Sequence, residues 1–167
     1  ILAEAILDNN ATIPVKKKKK AIISQIESFI KNKFIEAYKP YNIVIHNIEV
    51  SPAMPINLNK LKLDKIIFDD KLLRRESGNF EVHLYHNQKR QNIFFSFIIN
   101  ASIDALSASS NIKTGEVITN NNSNITQIHI DKNMQFPASL NIVDEYSAKS
   151  FIPSGAIITK AKITPKI

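Results

Sequence analysis

The chain has 167 residues, 44% of them apolar, and a formal charge of +7. It contains no cysteine, which excludes disulfides, thiol catalysis and Cys-based zinc sites. Five of the seven excess charges belong to a lysine run at positions 16–20, leaving +2 for everything else, and Trp is absent. A nucleic-acid surface is therefore not indicated, because no Arg-rich face and no basic strand interleaved with aromatics is present.

The length is enough to bury a core in one domain or two small ones, and no apolar run reaches the length of a membrane span. Residues 1–12 read as a leader, in which Ala3 and Ala5 suit the A-x-A end of a removed signal peptide. The lysines at 16–20 read as a solvated segment. They oppose the dipole of a helix that follows them, so ordered helix is expected from about Lys19. Ile22, Ile26, Phe29, Ile30, Phe34 and Tyr38 then form one apolar stripe at helical spacing. Pro40 ends it, because the residue before a proline is pushed out of the helical region.

Residues 41–50 alternate as a strand, and residues 60–68 as a second strand or edge segment around Leu61 and Leu63. Gly78 is expected to mark a hairpin. Residues 80–86 have a clean two-residue period, residues 86–92 form a polar turn, and residues 93–99 are almost wholly apolar. Such a run predicts a central strand covered on both faces, with Phe94, Phe95, Phe97 and Ile98 in the core. The alternative for these four is a partner-binding surface. The prediction for residues 13–101 is one helix on a small antiparallel sheet.

Residues 102–167 show no helical period and read as short strands joined by turns. Here two segments forty positions apart nearly coincide: SNIKTGEVIT at 110–119 and SFIPSGAIIT at 150–159. Ile112, Gly115, Ile118 and Thr119 match Ile152, Gly155, Ile158 and Thr159. The whole chain has three glycines, and two of them occupy this one position. That predicts a tight turn with φ > 0 at Gly115 and at Gly155, with the four isoleucines turned inward. The polar connection at 120–124 holds sequons at Asn121 and Asn124, expected by chance in an Asn-rich chain. Phe136, beside Pro137, and Phe151 read as local plugs next to turns, with a partner-binding hot spot as the alternative.

Chemistry is not evident. No nucleophile elbow, phosphate-binding glycine loop or H-E-x-x-H occurs. Spacing gives His46, His83, His86 and His129 no metal-site pattern, since His83 and His86 should face opposite sides of one strand. Asp69–Asp70 and Asp144–Glu145 read as turn and surface carboxylates. No catalytic, cofactor or metal residue is assigned, and the expectation is a protein that is not an enzyme and needs no cofactor.

The paired I-x-x-G-x-x-I-T turns resemble those of the SAF-type β-clip domain, and with the upstream helix-plus-hairpin module the chain resembles the FlgA family from about residue 21 to 167. Those proteins are periplasmic chaperones for assembly of the flagellar P ring. The resemblance implies an α+β fold: a helix-on-antiparallel-sheet module at 13–101 and an all-β SAF-type β-clip module at 102–167. Family chains continue into a further β-rich segment, so the clip is expected to be C-terminally incomplete here. It also implies a non-catalytic role, with the P-ring subunit protein as partner, no nucleic acid and no membrane insertion. Contact is expected within the β module, through edge-strand pairing, with the lysines at 16–20 dispensable. No contact residue and no oligomeric state follow. A CpaB-like pilus-assembly factor and a sugar-binding antifreeze-like domain stand as alternatives.

Overall fold

A computed structural model describes residues 21–167. The leader, the lysine run and the expected start of the helix lie outside the described residues.

Helix α1 (Ala21–Tyr38) buries Ile22, Ile26, Ile30, Phe34 and Tyr38. These recur every fourth residue, so they wind slowly about the helix and meet a twisted sheet with one continuous apolar face. Burial of each contributes about 1.5–3 kcal/mol in the gross hydrophobic term. Lys39–Tyr41 tightens into one turn of 3₁₀ helix, and Asn42, at φ 54°, reverses the chain into the sheet. Tyr41 is thus not part of the first strand, where alternation had placed it; its ring is buried and its hydroxyl donates to the Pro137 carbonyl at 2.8 Å.

The main sheet holds β1 (Val44–Pro52), β2 (Lys62–Ile67), β3 (Ser77–His86), β4 (Lys89–Ala108) and β5 (Ser123–His129), all antiparallel. The order β1-β4-β3-β2 makes β4 the spine. β1 lies on one side of β4, while β3 and then β5 follow end to end along the other. The Glu76 N–H donates to the Asp131 carbonyl at 2.8 Å where these two meet.

Two expectations need correction here. Gly78 does not mark a hairpin: it lies inside β3 opposite Phe97. A Cβ there would come 2.6 Å from Leu72 Cδ2 and 3.2 Å from Phe97 Cε1, so the glycine serves close packing. The hairpin falls at Asn87 and Gln88, whose φ values of 49° and 68° are those of a two-residue type I′ turn. The apolar run at 93–99 is also not covered on both faces. Phe95, Phe97 and Ile99 lie beneath α1, whereas Phe94 and Ile98 are 59% and 57% exposed on the opposite face.

β4 explains how one strand serves two cores. Its odd positions from Phe95 to Ile103 enter the cluster under α1. Its even positions Leu106 and Ala108 enter a second cluster with Ile112, Ile118, Ala138, Ile142, Ala148, Ile152 and Ile158. Because side chains alternate along a strand, one unbroken β4 faces one core near its middle and the other at its end. The second cluster is closed by the two-stranded sheet of β6 (Tyr146–Ala148) and β7 (Ile163–Pro165). The molecule is α+β, one helix on an antiparallel sheet followed by a smaller second sheet.

Candidate interaction surface

The repeated segments fold against each other about an approximate two-fold axis. Ile112 and Ile152 exchange both backbone hydrogen bonds, at 2.8 and 2.9 Å. Around them the bonds that form the two turns and join them to the neighbouring strands recur forty positions on. The Gly115 N–H donates to Ala148, and the Gly155 N–H to Ala108, at 2.8 and 2.7 Å. Ile118 donates to Tyr146, and Ile158 to Leu106, at 3.0 and 2.8 Å. The pairing of Ser123 with Ala108 is matched by that of Ile163 with Ala148. The structural repeat therefore runs over 106–125 and 146–165, twice what the glycine motif suggested. Ser107-Ala108 and Ser147-Ala148 were the sequence signal for the longer unit.

Each glycine occupies the third position of a four-residue turn, closed by Glu116 N–H to Lys113 O at 2.9 Å and by Ala156 N–H to Pro153 O at 3.1 Å. Gly115 has φ 89° and Gly155 φ 88°, with no positive φ at the second position, which is the type II pattern. Ile112, Ile118, Ile152 and Ile158 are fully buried between the turns.

The loop after the first turn is held by Asn122, a buried side chain. Its amide donates to the Val117 carbonyl at 2.9 Å and to Glu116 at 3.3 Å, and its oxygen accepts from the Thr119 N–H at 2.8 Å. The Glu116 carboxylate also accepts from the Lys113 N–H at 3.0 Å, and this bond, followed by that of Asn122, holds it below the usual carboxylate range. The sequon residues Asn121 and Asn124 are exposed on either side of this anchor.

The carboxylate pairs sit in turns. Asp69 caps a short 3₁₀ segment by accepting from the Lys71 N–H at 2.9 Å. Asp144 is itself in a left-handed conformation at φ 68°. His83 is paired with Glu81 at 3.0 Å, and His86 lies 3.3 Å from the Lys60 carbonyl. His46 and His129, remote in sequence, meet across β4 above Ser102. Among the described residues no three His, Asp or Glu side chains are grouped to hold a metal.

Among the described residues, two regions on or beside the strands present exposed apolar side chains. One is the face of the main sheet opposite α1, where Phe94 lies in register with Glu81, and Ile98 with Ser77 and Glu49. The other lies on the second unit, where Ile125 of β5 is 61% exposed and Phe151 stands beside the second turn, half-exposed. β5 pairs with β4 alone, so its outer edge is unpaired by any strand of the described residues. Phe136 takes another role, stacking on Tyr38 at 5.4 Å and tying the connection at 131–138 to the first core.

No described helix is long and apolar enough to cross a membrane. No protein-family model matches the chain, and no curated protein matches it. Solved structures do. Salmonella FlgA in its closed form aligns with TM-score 0.56 and 12% identity over 87% of this chain and 69% of that one. The same protein in its open form gives 0.56 and 12% over 88% and 65%. The flagellar protein FlgA of Thermotoga maritima gives 0.51 and 9% over 89% and 53%. The chain is thus similar to FlgA structures along nearly all of its length, while spanning from half to about two thirds of theirs: it has the FlgA fold.

Proposed function

We propose that this protein is a non-catalytic periplasmic chaperone that binds the subunit of the flagellar P ring and prevents its premature polymerisation. The observation that carries this reading is the shared fold with FlgA over 87–89% of the chain. The paired glycine turns, from which the same resemblance follows, support it independently of overall shape. On this reading, residues 13–101 are a helix-on-sheet module and residues 102–167 an SAF-type β-clip module, with Gly115 and Gly155 as its structural turns. β4 contributes side chains to both modules and joins them by one continuous strand.

A chaperone of this kind binds by apolar side chains or an open strand edge that the partner covers transiently. The β5 edge with Ile125 suits strand addition, and Phe94 with Ile98 suits a flat apolar contact. Binding of the purified P-ring subunit is the test, with an expected Kd in the micromolar range, about −8 kcal/mol. Ile125→Lys should weaken it at least ten-fold if the edge is used. A double Phe94→Ser, Ile98→Ser variant should do so if the sheet face is used. Absence of binding by the unaltered protein, or normal P rings in a deletion strain, overturns the assignment.

A further inference from the structure

The two histidines brought together across β4 carry an inference that stands apart from the chaperone reading. In β1 the register slips between Ile45 and Asn47, so His46 is the extra residue of a β-bulge. Bulges turn a side chain away from the regular alternation, and here His46 leans along the face opposite α1 toward Ser102. Its Nε2 lies 3.0 Å from Ser102 Oγ. On the other side of β4, His129 of β5 is the register partner of that same Ser102. The two imidazole rings stand 6.2 Å apart, centre to centre, at 46° to one another. Ser102 is small and 1% exposed, forming the floor beneath them, while both histidines are exposed to solvent. Asp104 lies two positions along the same face of β4, held by the Asn42 amide at 3.0 Å, and adds negative charge there.

We propose that His46 and His129 form a two-imidazole site for a divalent transition cation of the copper and zinc class. Two imidazoles that share such a cation each hold it about 2.0–2.1 Å from a ring nitrogen, which places their ring centres about 5–6.5 Å apart from tetrahedral to linear arrangement. The observed separation falls in that range. Imidazole nitrogen suits Cu²⁺, Ni²⁺ and Zn²⁺ over Mg²⁺ or Ca²⁺, and Cu²⁺ should bind more tightly than Zn²⁺. With two protein ligands the ion keeps positions for water. Bound there, it ties β1 to β5 across β4, where that strand passes from one core to the other.

The test is calorimetric titration of tag-free protein with CuCl₂ and with ZnCl₂. One ion per chain is expected, with a thermal midpoint that rises with metal concentration. His46→Gln and His129→Gln should each lower affinity at least ten-fold, while His83→Gln and His86→Gln should leave it unchanged. A second measurement needs no variant: metal-catalysed oxidation with Cu²⁺ and ascorbate, read by mass spectrometry, should mark His46 and His129 ahead of His83 and His86. The proposal is overturned by no saturable binding up to about millimolar metal, by affinity unaffected in both His46→Gln and His129→Gln, or by oxidation centred on the other pair.

Discussion

Substituting alanine for Gly115 or Gly155 tests the two-fold construction of the second unit most directly. An added Cβ meets nothing within 4 Å at either site, so steric clash contributes no cost. What remains is the backbone, with φ at 89° and 88°. A left-handed conformation costs an L-residue about 1–2 kcal/mol. The stiffer unfolded chain offsets about 0.4–1 kcal/mol of this. The net expected loss is about 1 kcal/mol for each variant, or about 2–4 °C in melting temperature for a chain of this size. Because both glycines have the same φ, the same turn and equivalent hydrogen bonds, the two losses should agree to within about 0.5 kcal/mol. Asparagine tolerates positive φ better, so Gly115→Asn should cost less than Gly115→Ala. Urea unfolding followed by circular dichroism, with unchanged m-value, provides the measurement. Alanine variants that are neutral or stabilised would refute the turn argument. Losses differing by more than about 1 kcal/mol would refute the equivalence of the repeats.

Two further outcomes are expected. Asn122→Ala leaves the Thr119 N–H and the Val117 carbonyl without their partner, and should cost about 1–3 kcal/mol in the same assay. Burial pushes the Tyr38 hydroxyl up to about 12 from 10.0, and it donates to the Leu73 carbonyl at 2.6 Å. The unfolded chain therefore loses this proton first, so the stability is complete below pH 10 and is lost as pH rises toward about 12. A difference of about 2 kcal/mol in pH dependence between the unaltered protein and Tyr38→Phe should appear across that window.

Local physics was legible wherever one residue type answers one backbone demand. Ile22, Ile26, Ile30, Phe34 and Tyr38 are helical in spacing and are the buried face of α1. The I-x-x-G-x-x-I-T segments carry glycine where the chain turns with φ near +90°. Where several physical causes produce the same pattern, reading failed. Gly78 is a glycine like the others, but it answers the crowding of Leu72, six positions before it, and of Phe97 on the neighbouring strand. The turn has no glycine at Asn87 and Gln88, and the polar residues 86–92 around it do not show which two form it.

The sequence by itself determined the helix, the hydrophobic alternation and the two equivalent turns, because these depend on neighbours within a few residues. Only the tertiary structure decided which face of each strand is covered. Phe94 and Phe95 are adjacent and chemically identical, yet α1 packs over one face of β4 and leaves the other to solvent. Pairing with distant strands likewise decided that Ile112 would meet Ile152 and that His46 would meet His129. Strand register is a long-range property: a one-residue bulge in β1 changes which side chains share a face. The interaction surfaces and the histidine pair belong to that level.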